Sequence, residues 1–184
     1  MTSDSADQET WYHGVGSGPG GRAITVETAD GTPTGLVSHV PRHSPTRMTW
    51  GYEGSGPADT ARSLLIAALG DDAKCRSCAG TRRVVYDLRR EDEPAPAAYD
   101  PRRSPADYAA EGRHVSRCWE CDDGYRQLPY QDFKRQHVAT WGREWRISRT
   151  EILTWLREHQ DKQASSDPGH GESPPKGPQL EAGK

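Results

Sequence analysis

The chain has 184 residues, a net charge of -3 and a hydrophobic fraction of 32%. That length suits one domain with flexible flanks, and so low an apolar fraction, with 19 glycines and 14 prolines, cannot all be packed core. The charge argues against a broadly polycationic nucleic-acid binder, and the longest apolar run, Leu64 to Leu69, is too short for the ~20 residues a bilayer needs.

Residues 1–10 are polar and acidic, with no basic start and no apolar stretch, so they read as a disordered lead rather than a signal peptide. A cytoplasmic location is expected, where thiols stay reduced. Ala23 to Glu27 alternates as a strand does. Asp30-Gly31 then marks a hairpin turn, Gly35 to Val40 a return strand, and Met48 to Tyr52 a short third strand. A helix follows: Ser55 or Gly56 can cap it, Pro57 is tolerated in its first turn, and Asp59 suits the positive end of its dipole. Ala61, Leu64, Leu65, Ala68 and Leu69 share one face, and Gly70 ends the run.

Between residues 79 and 117, Val84-Val85-Tyr86 reads as a strand and His114 to Arg117 as its return. Glu91 to Ala110, rich in Pro, Ala, Asp and Arg, reads as a mobile loop. Tyr130, Phe133, His137 and Val138 give one helical face, and Trp141 to Ile147 offers a strand. Ser148-Arg149-Thr150-Glu151 is a capping box, with Ile147 placed to staple against Ile152. Ile152, Trp155, Leu156 and His159 continue that helix, and the chain from Gln163 onward has no periodicity.

Cys75-Arg-Ser-Cys78 and Cys118-Trp-Glu-Cys121 form two CxxC knuckles that use every cysteine in the chain. Each two-residue spacer lets both sulfurs turn to one point, and two knuckles supply the four tetrahedral sulfurs that Zn2+ prefers. Gly80 and Gly124 follow the knuckles where the chain must turn tightly. Thiol redox chemistry and buried free cysteines are the other readings; a thioredoxin-like CxxC comes singly in a βαβ context, which is missing here. Four thiolates leave no open position, so the site is structural rather than hydrolytic. These knuckles resemble the cysteine-rich zinc domain of DnaJ-type chaperones, whose repeats read CxxCxGxG. Cys75 to Gly80 fits the first half of that repeat, and the second knuckle departs from it at Asp122-Asp123-Gly124. Without J-domain residues, the resemblance implies metal binding and not chaperone activity.

Trp50-Gly-Tyr-Glu-Gly-Ser-Gly-Pro-Ala58 puts glycines and a serine before the central helix. Free amides at Gly54, Ser55 and Gly56 could meet a small anion or nucleotide there, or the string is a tight strand-to-helix turn. No Gly-Lys-Ser/Thr follows, so it is not a P-loop. The same string, with Tyr12-His13-Gly14, Ser44-Pro45-Thr46, Phe133-Lys134 and the Trp145-x-Ile147 and Ile152-x-x-Trp155-Leu156 pairs, resembles a family of small uncharacterised proteins of bacteria and their phages. The resemblance spans most of residues 11–158 except the cysteine segment, which reads as inserted, and it implies no reaction.

His39 and His43 are four apart, but Pro41 breaks any helix between them, so they read as surface histidines. Ser17, Ser44 and Ser55 lack a nucleophile context such as GxSxG. Trp119 lies within a knuckle and is the best contact residue, flanked by Arg82, Arg83 and Arg117. The expected fold is α+β: a small antiparallel sheet, about three helices and a zinc-stapled hairpin. Residues 11–74 and 125–160 would form the core, 75–124 the zinc insert with a mobile loop at 90–112, and 161–184 a disordered tail. The expected function is a non-enzymatic, zinc-stabilised binding or regulatory protein contacting a protein or nucleic-acid partner. The alternative is small-anion binding at Gly54, Ser55 and Gly56, with enzymatic use.

Overall fold

A computed structural model describes residues 9–16, 23–87, 89, 96–121 and 123–166. Residues 1–8 of the expected lead, 90–95 of the expected loop and 167–184 of the expected tail lie outside it. The fold is α+β, as composition and periodicity suggest, with two antiparallel sheets and four α-helices among the described residues.

The larger sheet has the order β3-β2-β1-β7, from Pro33–Leu36, Ile24–Glu27, Trp11–Val15 and Glu144–Ser148. The expected hairpin forms, with its return strand a few residues earlier than its alternation suggested. Strand β1 was not legible as a strand. Its fourth residue, Gly14, lowers strand propensity, yet only glycine fits there: a Cβ would lie 2.3 Å from Cε2 of Trp145 on the paired strand. Trp145 in turn stacks on Trp141 at 3.9 Å and meets Trp50 edge-on at 5.4 Å, so the indole has no room to yield.

Helix α1, Ser55–Leu69, crosses the middle of the core and packs against α3, Tyr130–Gln136, and α4, Arg149–Ser166. Its apolar residues Ala61, Leu64, Leu65 and Ala68 are buried with Tyr12, Ile24, Trp50, Phe133 and Ile152. Gly70 ends it at φ 60, as expected. The start differs from expectation. Gly54 is the N-cap, and Ser55 is an exposed first helical residue whose side chain caps nothing. Met48 to Tyr52 forms no strand; its buried residues Met48 and Trp50 drop into the core from an irregular segment.

Ser148 and Glu151 cap α4 reciprocally: the Ser148 amide donates to Glu151 Oε2 at 2.7 Å and the Glu151 amide to Ser148 Oγ at 3.0 Å. Ile147 and Ile152 are both buried in the same cluster. The helix runs to Ser166, past residue 160 where a tail was expected, because Lys162, Gln163 and Ala164 are good helix formers that extend a helix already begun on the core.

The smaller sheet, β5-β4-β6, comprises Ala97–Ala98, Arg83–Asp87 and Arg113–Arg117. Part of the expected mobile loop is therefore ordered. Ser104-Pro105-Ala106-Asp107 is a capping box with proline at the helix start, and it opens α2, Pro105–Ala110. Tyr108 of α2 is buried, with its hydroxyl accepting the Asp100 amide at 3.0 Å and the Arg103 guanidinium 4.3 Å over its ring. Composition hid a short element that its capping residues spelled out. No described helix is long and apolar enough to cross a membrane.

Candidate metal centre

The two knuckles meet at the foot of the β4–β6 hairpin. Lys74 bridges Tyr125, the Cys75 amide donates to the Gly124 carbonyl at 2.8 Å, and the Arg126 amide donates to Ala73 at 3.0 Å. Both ends of the cysteine segment are thus held side by side. Within the first knuckle, the Ala79 amide returns to the Cys75 carbonyl and the Thr81 amide to the Cys78 carbonyl, closing a tight turn. Gly124 has φ 93, and a Cβ there would lie 2.4 Å from the Gly80 carbonyl oxygen, so the second knuckle can approach the first only as glycine.

This framework brings all four sulfurs together. Cys75, Cys78, Cys118 and Cys121 are buried, and their Sγ atoms lie within 4.8 Å of one another. Cys75 and Cys118 are 3.8 Å apart and Cys78 and Cys121 3.5 Å. A disulfide would need ~2.05 Å. Four sulfurs at ~2.3 Å around a tetrahedral ion lie ~3.8 Å from each other, so the spacing fits a metal ion. Burial pushes the Cys75 and Cys121 thiols up. At Cys78 burial also acts upward, but the Cys121 thiol and the Arg82 and Gly80 amides outweigh it and draw the group down. Four buried thiolates at one point are tolerable only around a cation. Val84 and Tyr86 form the apolar wall, while Glu120 accepts from the Cys75 thiol at 3.6 Å and from Ser77 Oγ.

Above this foot, Arg83 stands directly opposite Arg117, Val85 opposite Val115, and Asp87 opposite Arg113. Directly opposed residues share a face, and on this one Val85 also pairs with β5 through Ala97. A cleft of about 560 Å³ lies here, with Arg82, Arg83 and Arg117 over Val115 and Pro105. Arg82 holds a left-handed backbone at φ 63 while its carbonyl accepts the Cys118 amide at 2.8 Å. Trp119 is 61% exposed and packs at 6.2 Å on Tyr86, which belongs to the cysteine face. The three arginines therefore come together, and Trp119 stands apart from them.

At the other candidate position, Gly56 is buried, Gly54 half-buried and Ser55 exposed. The preceding Gly51 amide donates to the Val138 carbonyl at 2.9 Å, and Glu53 pairs with Lys134 at 2.5 Å, so the string ties α1 to the α3 end of the core.

Two buried polar groups escaped sequence reasoning. Asp59 does not serve the helix dipole: it lies past the first turn, fully buried, and accepts the backbone amides of Arg42, His43 and Ser44 at 2.7 to 3.2 Å. His39 Nε2 is 3.5 Å from it, so His39 is a loop partner rather than a surface residue. Arg62, 3% exposed, donates to the Val40 carbonyl at 3.1 Å and pairs with Asp123 at 2.5 Å. The only signal was their spacing on the α1 face opposite its leucines.

Residues 12–93 match a family of unknown function, DUF6166. The matched span takes in the first three strands, α1, the first knuckle and β4; Cys118, Cys121 and the Phe133-Lys134 and Trp145 to Leu156 motifs lie beyond it. No curated protein and no solved structure matches the chain.

Proposed function

We propose that this is a non-enzymatic binding protein in which the four cysteines hold one Zn2+ and thereby fix the β4–β6 hairpin as a recognition element. The spacing of the four buried sulfurs carries the reading, since it suits a closed tetrahedral shell with no position left for water or substrate. An all-sulfur set favours zinc among the common divalent ions that have no redox chemistry. The hairpin built on this foot offers two surfaces for contact: the cleft of Arg82, Arg83 and Arg117 and, on the other face, exposed Trp119. Segment 75–124 acts as a discrete unit on an α+β core, in a reducing cytoplasm that keeps its thiols free for metal. The resemblance of the core motifs to small proteins of bacteria and phages supports a prokaryotic setting.

Elemental analysis of purified protein tests the reading. It should find about one zinc per chain, lost in Cys118→Ser together with protection of the hairpin from proteolysis. Metal-free protein with an intact hairpin, or a Cys75–Cys78 disulfide in freshly reduced lysate, would overturn it.

A further inference from the structure

Like charges directly opposite each other across an antiparallel pair oppose sheet formation. Arg83 and Arg117 stand in that relation at the foot of the hairpin, with Arg82 beside them in a left-handed conformation that side chains rarely adopt. At the far end of the same face the pairing is complementary, Asp87 against Arg113, so the sheet does not lack acidic residues to use. The described acids nearby are engaged elsewhere. Glu111 meets Arg103 and Arg113, Asp107 serves the cap of α2, and Glu120 bonds Ser77 and Cys75 on the opposite face. Among the described residues no carboxylate lies within ion-pair distance of Arg82 or Arg83. The Tyr99 ring, 5.5 Å below the Arg83 guanidinium, holds that group in place without neutralising it.

Resting on the proposed function above, we infer that this cleft binds the phosphodiester backbone of a nucleic acid without regard to sequence. Three guanidiniums line one open trough, and those of Arg82 and Arg83 can each take two phosphate oxygens. Arg82 and Arg83 are exposed along it, as a polymer threading past requires; an enclosed pocket would suit a free phosphate. No aromatic or amide side chain lines the cleft, so nothing there stacks on a base or reads its edge. An acidic peptide offers the same charge sign, but its carboxylates sit on flexible arms with no fixed spacing, whereas phosphates repeat along the strand.

Fluorescence anisotropy of the zinc-loaded full chain with a labelled 20-base DNA of mixed sequence, single-stranded and duplex, tests this. Two phosphate contacts, at Arg82 and Arg83, give a log–log salt slope of about -1.4 for the single strand and about -1.8 for duplex. Affinity should therefore fall about 7-fold to 12-fold between 50 and 200 mM salt. Arg82→Gln and Arg83→Gln should each remove about half of the slope and keep full zinc content. Arg157→Gln, at an exposed position of α4, should change nothing. DNA binding that ignores both cleft variants would overturn the inference. So would absence of DNA binding at 50 mM salt by a zinc-loaded chain, which would leave the zinc-hairpin reading standing. Saturation by inorganic phosphate that DNA cannot displace would reassign the cleft to a small ligand. Equal or tighter binding of a poly-glutamate peptide, lost in the same variants, would reassign it to a protein partner.

Discussion

Asp59→Asn isolates what one buried carboxylate contributes. The side chain is wholly inaccessible, and its two oxygens share three backbone donors: the Arg42 and His43 amides lie 3.1 and 3.0 Å from Oδ1 and 3.2 Å from Oδ2, and Oδ2 alone takes the Ser44 amide at 2.7 Å. Asparagine keeps the shape but turns one oxygen into an NH2 group. Whichever way the amide lies, that group confronts at least one backbone donor. One or two hydrogen bonds to a charged acceptor are lost, each worth about 1.5–3 kcal/mol, so the variant should lose about 2–4 kcal/mol. At about 2–4 °C per kcal/mol for a chain of this size, the melting temperature should fall roughly 5–15 °C. Urea unfolding followed by circular dichroism and tryptophan fluorescence measures it directly, with an unchanged m-value showing that only stability moved. Asp71→Asn is the control: that side chain is 92% exposed and its ion pair is with Lys74, so the urea midpoint should not move measurably. A change at Asp59 no larger than at Asp71 would refute the idea that α1 pins the 42–44 segment.

Gly14→Ala drives a methyl into the Trp145 indole and should cost about 2 kcal/mol of unfolding free energy in urea titration. Chelation, or Cys118→Ser, should abolish hydrogen-exchange protection across β4 and β6 while leaving α1 protected. Ser55→Ala should stay within about 0.5 kcal/mol of the parent by thermal melting, because the hydroxyl caps nothing. Burial lowers the His137 pKa, so the unfolded chain binds the proton first and stability should drop as pH falls below about 6.5. His137→Gln should flatten that part of the profile in urea melts taken at each pH. At Glu27 burial acts upward, but hydrogen bonds from His13 and Thr25 and the charges of His13 and Arg146 hold the carboxyl down. A further loss of stability should therefore appear below about pH 4.3, reduced in Glu27→Gln.

What the sequence made legible was whatever repeats at short range. The capping box at Ser148, the leucine face of α1, the Val84 strand and its return, and the paired cysteines each depend on residues within a few positions of one another. What it hid depends on distant partners. Strand β1 pairs with Glu144–Ser148, far along the chain, whose Trp145 comes close against Gly14. Asp59 and Arg62 look like surface residues of an amphipathic helix, and are buried where the 38–44 segment and, for Arg62, Asp123 meet them. The cysteine cluster was legible as a set able to hold a metal, but the division of the hairpin into an arginine face and a tryptophan face required the β4–β6 register. Met48 and Trp50 alternate as a strand would, and are spaced instead to fill two holes in the core.

The bridge between Lys74 and Tyr125 has a consequence for how such a chain can change over generations. Because departure and return are neighbours, the core experiences everything from 75 to 124 as one closed excursion, whatever its length. Lengthening a flexible excursion is cheap, about 0.6 kcal/mol for each doubling, so its tip can accumulate or shed residues with little effect on what lies beneath. Arg62 and Asp123 then act as a latch that orients whatever is carried there. A body organised in this way behaves as a mounting plate: the same two attachment points can carry tips of different chemistry without reopening the core.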